Sequence, residues 1–219
     1  MRKLLLAALL AAVPTVASAQ VGYVEGAIGQ TLIPDVETKN YTLYDPSLGT
    51  FIGHGELDFG SEFSGGAEIG FARERFRFGL SWDYATAEID TVRLVGTLDG
   101  SPYSEEMSGA ELEDVTGISF DENVHILGAN AYYNFGAPEA MWRPYIGAGA
   151  GLAMFQNADS EFALQLTAGV RFALGTNAYL GGRYRFAWIK GPEDDIGIAY
   201  EDINLHTFSV VLGFYFGGP

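Results

Sequence analysis

The sequence predicts an all-β fold, an eight-stranded antiparallel up-and-down transmembrane β-barrel, on three observations. Apolar residues recur at every second position in eight segments of strand length, the period of a sheet with one greasy face. The connections alternate between very short turns and longer polar loops, which puts the short turns together at one end of the molecule. The face opposite the greasy one is rich in glycine and carries charge in mid-strand, so the bulky face is the one that cannot fit inside.

Each segment can be justified in turn. Residues 1–19 combine Arg2 and Lys3, an apolar run from Leu4 to Val13, and Ala17-Ser18-Ala19 as a small-residue cleavage site. This reads as a secretory signal peptide, because the apolar run falls well short of the roughly 20 residues of a spanning helix. Residues 20–219 remain as one barrel domain. The first strand, 21–32, sets Val24, Gly26, Ile28 and Leu32 against Glu25, and 33–58 reads as a long loop broken by Pro34, Asp35, Asn40, Asp45 and Pro46.

The hairpin over 62–88 is the clearest signal in the chain. Phe63, Gly65, Ala67, Ile69 and Phe71, then Phe76, Phe78, Leu80, Trp82 and Tyr84, form one apolar face around a tight polar turn at Arg73 and Glu74. A second long loop spans 89–121, with Asp99-Gly100 as a local turn and 92–98 able to extend as sheet beyond the membrane. Strands then follow at 123–135, 145–154, 162–172, 179–188 and 204–216, the last with Phe208, Val210, Leu212, Phe214 and Phe216 on one face.

A soluble eight-stranded barrel alternates equally well but keeps its apolar face inside. Size decides against it. Phe63, Phe71, Phe76, Phe78, Trp82, Tyr133, Phe162, Phe172, Phe186, Trp188, Phe214 and Phe216 exceed what eight strands can enclose, whereas the glycine-rich face leaves room for a few long charged chains. Those chains are Glu25, Glu62, Glu68 and Asp83 against Arg77, Arg171, Arg183 and Arg185. Near-balanced charge predicts carboxylate–guanidinium pairs across the lumen. Two readings of that network are open, a brace that fills the barrel and an ion path gated by the same pairs.

Composition narrows the function. Of twelve basic residues two lie in the signal segment, leaving ten against 28 acidic ones, so the chain is not built to bind nucleic acid phosphates. Cysteine is absent, which excludes disulfides and thiol chemistry. The acidity is concentrated: residues 33–58, 88–122, 158–161 and 190–203 hold 22 carboxylates against Lys39, Arg93 and Lys190. Two readings of this outer rim are open: divalent cations collect there and bridge to lipopolysaccharide phosphates, with Glu105, Glu106, Glu111, Glu113, Asp114, Glu193, Asp194 and Asp195 as ligand candidates, or its charge repels phosphate-rich surfaces and limits adhesion. No cofactor is expected beyond weak Ca2+ or Mg2+ there. Arg73, Arg75 and Arg143 sit at the short turns, where they suit anionic headgroups.

Tyr132-Tyr133-Asn134-Phe135-Gly136, Arg143-Pro144-Tyr145-Ile146-Gly147-Ala148-Gly149-Ala150-Gly151, Gly182-Arg183-Tyr184-Arg185-Phe186 and the aromatic closing strand resemble the small outer-membrane β-barrel proteins of Gram-negative bacteria, the opacity-type porins and relatives of the OmpA membrane domain. The resemblance spans essentially the mature chain and marks fold, not activity. It implies insertion in the cell outer membrane by the outer-membrane assembly machinery, which in this family reads the last strand. Phe214 and Phe216 match its terminal aromatics and Ser209 its polar position, while Val211 stands where the pattern has glycine.

Catalysis has little to stand on. Some small barrels act on lipid A through a His-x-Ser pair, but here His206 is three residues from Ser209 and so lies on the other face of its strand. His54 and His125 have no evident Ser/Asp constellation, and the Gly147-x-Gly149-x-Gly151 series lacks the helix start of a phosphate loop. The expectation is a monomeric, non-enzymatic outer-membrane protein with a structural or surface-interaction role and a largely filled lumen. A small diffusion pore or adhesin is the alternative, and a lipid A-modifying enzyme comes third.

Overall fold

The computed structural model describes residues 21–46, 49–116, 122–137, 140–156, 158–193 and 199–217, so residues 1–19, expected to be a signal peptide, lie outside the described residues. Eight long strands close into a barrel by antiparallel pairing in the order β1-β13-β12-β11-β10-β9-β6-β5. They are β1 (Val21–Leu32), β5 (Ser61–Arg73), β6 (Phe76–Ala87), β9 (Glu122–Asn134), β10 (Trp142–Met154), β11 (Glu161–Ala173), β12 (Ala178–Ile189) and β13 (Ile203–Phe216). Closure leaves no unpaired edge in the hydrocarbon, where an unsatisfied backbone group would cost several kcal/mol. The expected eight strands are all present, with ends shifted by a few residues.

The greasy side looks outward. Phe78, Leu166 and Val210 are 41%, 59% and 55% exposed, whereas Glu68 and Arg183 on the other face are 2% and 7% exposed. Aromatic side chains girdle both ends of the wall, as interfacial rings do. Phe76, Phe78, Tyr133 and Phe135 mark the short-turn end, and Trp82, Tyr84, Tyr184 and Phe186 the end of the long loops.

The first loop departs from the expected structure, whereas the second bears out the sheet over 92–98 and the turn at Asp99-Gly100. Residues 33–58 are not an open loop but contain β2 (Val36–Glu37), β3 (Tyr41–Asp45) and most of β4 (Gly49–Phe59). With β7 (Ile89–Leu98) and β8 (Ser101–Ser108) they build a second sheet, ordered β2-β4-β7-β8 with β3 also on β4. The reason is visible in the register. Ser64↔Ala85 and Asp58↔Thr91 lie six residues apart along both strands, so β4 and β7 resume the β5–β6 hairpin above the barrel.

Between Phe59↔Ile89, reached through a bulge after Asp58, and Ser64↔Ala85 the two strands part. The end of β5 stays on β1 and the end of β6 stays on β9 to complete the ring, and Thr86 Oγ1 bridges the gap to Glu62 Oε2 at 2.8 Å. At the far tip, Asp99 and Gly100 both take positive φ (47° and 80°), the twist a two-residue hairpin turn demands. A short helix, α1 (Gly109–Thr116), follows β8. Its start is a capping box: Glu111 N donates to Ser108 Oγ, and Ser108 N donates to the Glu111 carboxylate at 3.0 Å.

Inside, the lumen is layered. Tyr23, Tyr132, Tyr145, Tyr179 and Arg77 crowd the short-turn end, the ion pairs occupy the middle, and the outer end is apolar. That outer cap joins Ala87, Val124, Ile126, Ala153, Ala163, Ala187, Ile189 and Leu205 from the wall to Ile33 and Val36 of the first loop. The first and last loops are stitched above it, by Lys39 N to Ala199 O at 2.7 Å and Glu201 N to Glu37 O at 2.9 Å.

Glycine makes the tyrosine layer fit. Tyr132 stands directly across the ladder from Gly147, and a Cβ on that glycine would lie 2.2 Å from the ring. Overpacking of this kind costs about 1–3 kcal/mol. Gly147→Ala should therefore lower barrel stability by about that amount in reversible urea unfolding in lipid, while Gly182→Ala, whose added carbon meets nothing within 4 Å, should leave the midpoint where it is.

Candidate functional site

The lumen network is built from strands that are not neighbours in the chain. Period-two alternation aims Glu25 of β1, Glu68 of β5, Asp83 of β6 and Arg183 and Arg185 of β12 at the axis, and eight strands bring opposite walls within side-chain reach. Glu25 accepts from Arg183 NH1 at 3.0 Å, from Arg77 NH1 at 3.2 Å and from the Tyr179 hydroxyl at 2.7 Å. Glu68 accepts from the hydroxyls of Tyr23 and Tyr132, each at 2.5 Å, and pairs with Arg185 at 3.6 Å. Asp83 pairs with Arg185 NH1 and lies 3.7 Å from Arg183 NH2.

Hydrogen bonds hold the remaining donors in place. Arg185 donates to Tyr132 OH at 3.0 Å and to Thr167 Oγ1 at 3.3 Å, and Arg183 Nε to Ser209 Oγ at 3.3 Å. Arg77 sits in a cage of tyrosines, its guanidinium carbon 4.6 Å from the Tyr132 ring centre and 4.9 and 5.0 Å from those of Tyr23 and Tyr145. Such contacts replace lost hydration with the negative faces of rings.

Two of the eight residues read as network members depart from that role. Glu62 faces Thr86 at the outer rim, above the guanidiniums, and makes no ion pair among the described residues. Arg171 is in the lumen, but its partners are neutral, Asn134 Oδ1 and the Tyr215 hydroxyl. The tyrosines were the part missed. Their signal was available, since Tyr132, Tyr145 and Tyr179 fall on the glycine-bearing face.

The rim candidates do not converge. Among the described residues no group of three or more Asp, Glu or His side chains could hold a metal ion. Glu106 is taken up by Arg93 at 2.6 Å, Glu105 by the Tyr103 hydroxyl, and Glu111 by the α1 cap. Glu113, Asp114 and Glu193 are exposed, and Asp194 and Asp195 lie outside the described residues. In the last strand Phe214 and Phe216 face lipid, Ser209 faces the lumen, and Val211 fills the space over Gly181.

The histidines sit on the wall's outer side or above it. His206 Nδ1 meets Tyr184 OH at 2.8 Å while Ser209 is bonded inside, so the strand separates them. Trp82 Nε1 donates to His125 Nδ1 at 3.2 Å, and His54 lies 3.7 Å from Glu56.

A closed barrel, greasy without and charge-paired within, is an integral membrane barrel of the outer-membrane type. The family model for the outer membrane protein beta-barrel domain matches residues 4–216, and the chain belongs to that family. Its fold is similar to that of Neisserial surface protein A, at 16% identity and a TM-score of 0.52 over 88% of this chain and 96% of that one. It is also similar to OprG from Pseudomonas aeruginosa, at 9% identity and a TM-score of 0.54 over 92% and 97%. No curated protein sequence matches.

Two predictions follow from this geometry. Glu25→Ala leaves Arg77 and Arg183 buried without their shared carboxylate and should cost about 3–5 kcal/mol in urea unfolding, against little for Glu62→Gln. At α1, the Ser108 backbone and hydroxyl bonds hold the Glu111 carboxyl below its usual 4.5. Its contribution is thus present above that value and lost as pH falls through the lowered one. Amide exchange in α1, corrected for intrinsic rates, should accelerate in that acid window, and Glu111→Gln should abolish the step.

Proposed function

We propose that this protein is a non-enzymatic, non-conducting outer-membrane barrel whose work is done outside the membrane, by the sheet of β2, β3, β4, β7 and β8 and the acidic rim around it. The double closure of the lumen carries this reading. An ion entering from outside meets the apolar cap of Ile33, Val36, Ile126, Ile189 and Leu205, then a layer in which each of Glu25, Glu68 and Asp83 is held by at least one guanidinium. Between the two layers lies a cavity of about 30 Å3, room for about two waters. The brace reading of the charges is the one this supports.

The extracellular sheet is a sturdy display element. Its β4 packs Phe51 against Tyr41 and Tyr103, with ring centres 5.7 and 5.9 Å apart, and turns Ile52, His54, Glu56 and Asp58 the other way. Arg93 cross-links Glu56 and Glu106 on that second face. We take lipopolysaccharide as the first partner, its phosphates bridged to the rim by Ca2+ or Mg2+ held diffusely by the field of many exposed carboxylates, such as Glu37, Glu113, Asp114, Glu193 and Glu201.

In planar bilayers the purified barrel should give no channel events in molar-range potassium chloride; reproducible conductance steps would end the closed-lumen reading. Calorimetric titration with calcium should show weak, salt-sensitive uptake that a variant neutralised at Glu113, Asp114 and Glu193 loses in part. Equal uptake by both proteins would remove the rim from the argument.

A further inference from the structure

Among the described residues the lumen does not balance its own buried charge. It holds four buried guanidiniums, Arg77, Arg171, Arg183 and Arg185, against two buried carboxylates, Glu25 and Glu68, and the half-buried Asp83. The surplus is local. Arg77, Arg183 and Arg185 each reach a carboxylate, whereas Arg171, only 3% exposed, is bonded to an amide oxygen and a phenol. An uncompensated buried charge is among the costliest features a fold can carry.

The surroundings of Arg171 are short of acceptors. Its Nε has no hydrogen-bond partner, nor has Arg77 Nε, nor the hydroxyl of Tyr145, whose ring lies 5.4 Å from the Arg171 guanidinium and 5.0 Å from that of Arg77. Directly across the β10–β11 ladder from Arg171 stands Arg143, whose guanidinium donates to Glu74 O at 3.2 Å. Toward the outer end the unpartnered atoms have the opposite character, with Asn130 Oδ1 and Gln165 Oε1 as acceptors. Water could satisfy the hydrogen bonds at the inner end and the faces of Tyr145 and Tyr179 offset part of the charge; an anion would meet both.

We propose that the inner end of the lumen holds one small inorganic anion, of chloride size, against the Arg171 guanidinium in the layer of Tyr145, Tyr179 and Tyr215. The burial of Arg171 excludes a lipid headgroup, and its unpartnered Nε is the donor open to a small anion. The anion completes the neutralisation that the three carboxylates leave unfinished. The site is independent of the surface role proposed above, since a barrel with an empty anion site would still be closed by its apolar cap.

Bromide replaces chloride and scatters anomalously, so crystals of the full barrel grown in sodium bromide test the site directly. An anomalous peak beside Arg171 is expected in the wild type and its loss in Arg171→Gln, with the peak retained in Glu62→Gln. A second measurement uses the wild type alone: its urea midpoint in lipid should fall when chloride is exchanged for the bulky anion gluconate at constant ionic strength. Absence of a peak at Arg171, a peak unchanged in Arg171→Gln, or a midpoint indifferent to the exchange would overturn the proposal.

Discussion

Charge neutralisation inside a wall surrounded by hydrocarbon is the constraint on which the rest of this structure depends. Glu25 meets Arg77 from β6 and Arg183 from β12, so one carboxylate ties together three strands spaced around the ring. Outside the barrel the medium offers no compensation, and each buried ion needs a partner at a defined height. That requirement propagates. Carboxylates have more lone pairs than the guanidiniums can fill, and tyrosine hydroxyls take the remainder: Tyr179 on Glu25, Tyr23 and Tyr132 on Glu68. A tyrosine reaching toward the axis needs room, and the residue across the ladder provides it by having no side chain. Tyr23 faces Gly70, Tyr132 Gly147, Tyr145 Gly169 and Tyr179 Gly213.

Much of this was legible in the sequence because size and alternation are local properties. Phe78, Leu166 and Val210 could be assigned to the lipid face from their spacing and the limited interior of eight strands alone. The inward direction of Glu25, Glu68, Arg183 and Arg185 follows from the same parity. Partner choice was not legible, since it depends on the height at which strands register. Glu62 shares the parity of Glu68 yet sits six residues nearer the outer rim, at Thr86, beyond the guanidiniums. From the sequence alone the glycines offer space for long charged chains. They serve the tyrosines, and only the cross-strand register, which joins residues such as Tyr179 and Gly213 far apart in sequence, shows it.

The outer loops illustrate a different limit. Phe51, Gly53, Gly55 and Leu57 alternate with Ile52, His54, Glu56 and Asp58 as well as any barrel strand does, but proline and acidic residues upstream mask the pattern. A sheet standing in water can turn histidine and carboxylates to solvent, so its composition resembles a loop while its period remains two. The strands β4 and β7 rise here as a continuation of β5 and β6, which lets a hairpin already paid for in the membrane extend without a new nucleus. The local parting at Glu62 and Thr86 is where ring closure and hairpin pairing compete for the same strands.

The apolar cap ties these levels together. Inward positions remain on the same parity to the outer end of each strand, but their chemistry changes from charge to Ala87, Val124, Ile126, Ile189 and Leu205. Ile33 and Val36 seal the layer because backbone bonds between the first and last loops hold that segment over the mouth. A barrel with ion pairs to its rim would expose them to water, where each is worth little. Keeping bulk water out above Asp83 and Arg185, with only the small cavity beside them, keeps their attraction in a medium of lower dielectric than water, where the charges remain coupled. The cap also stands between the lumen and the acidic loops, so the arginines lie shielded beneath it from the negative field of the rim.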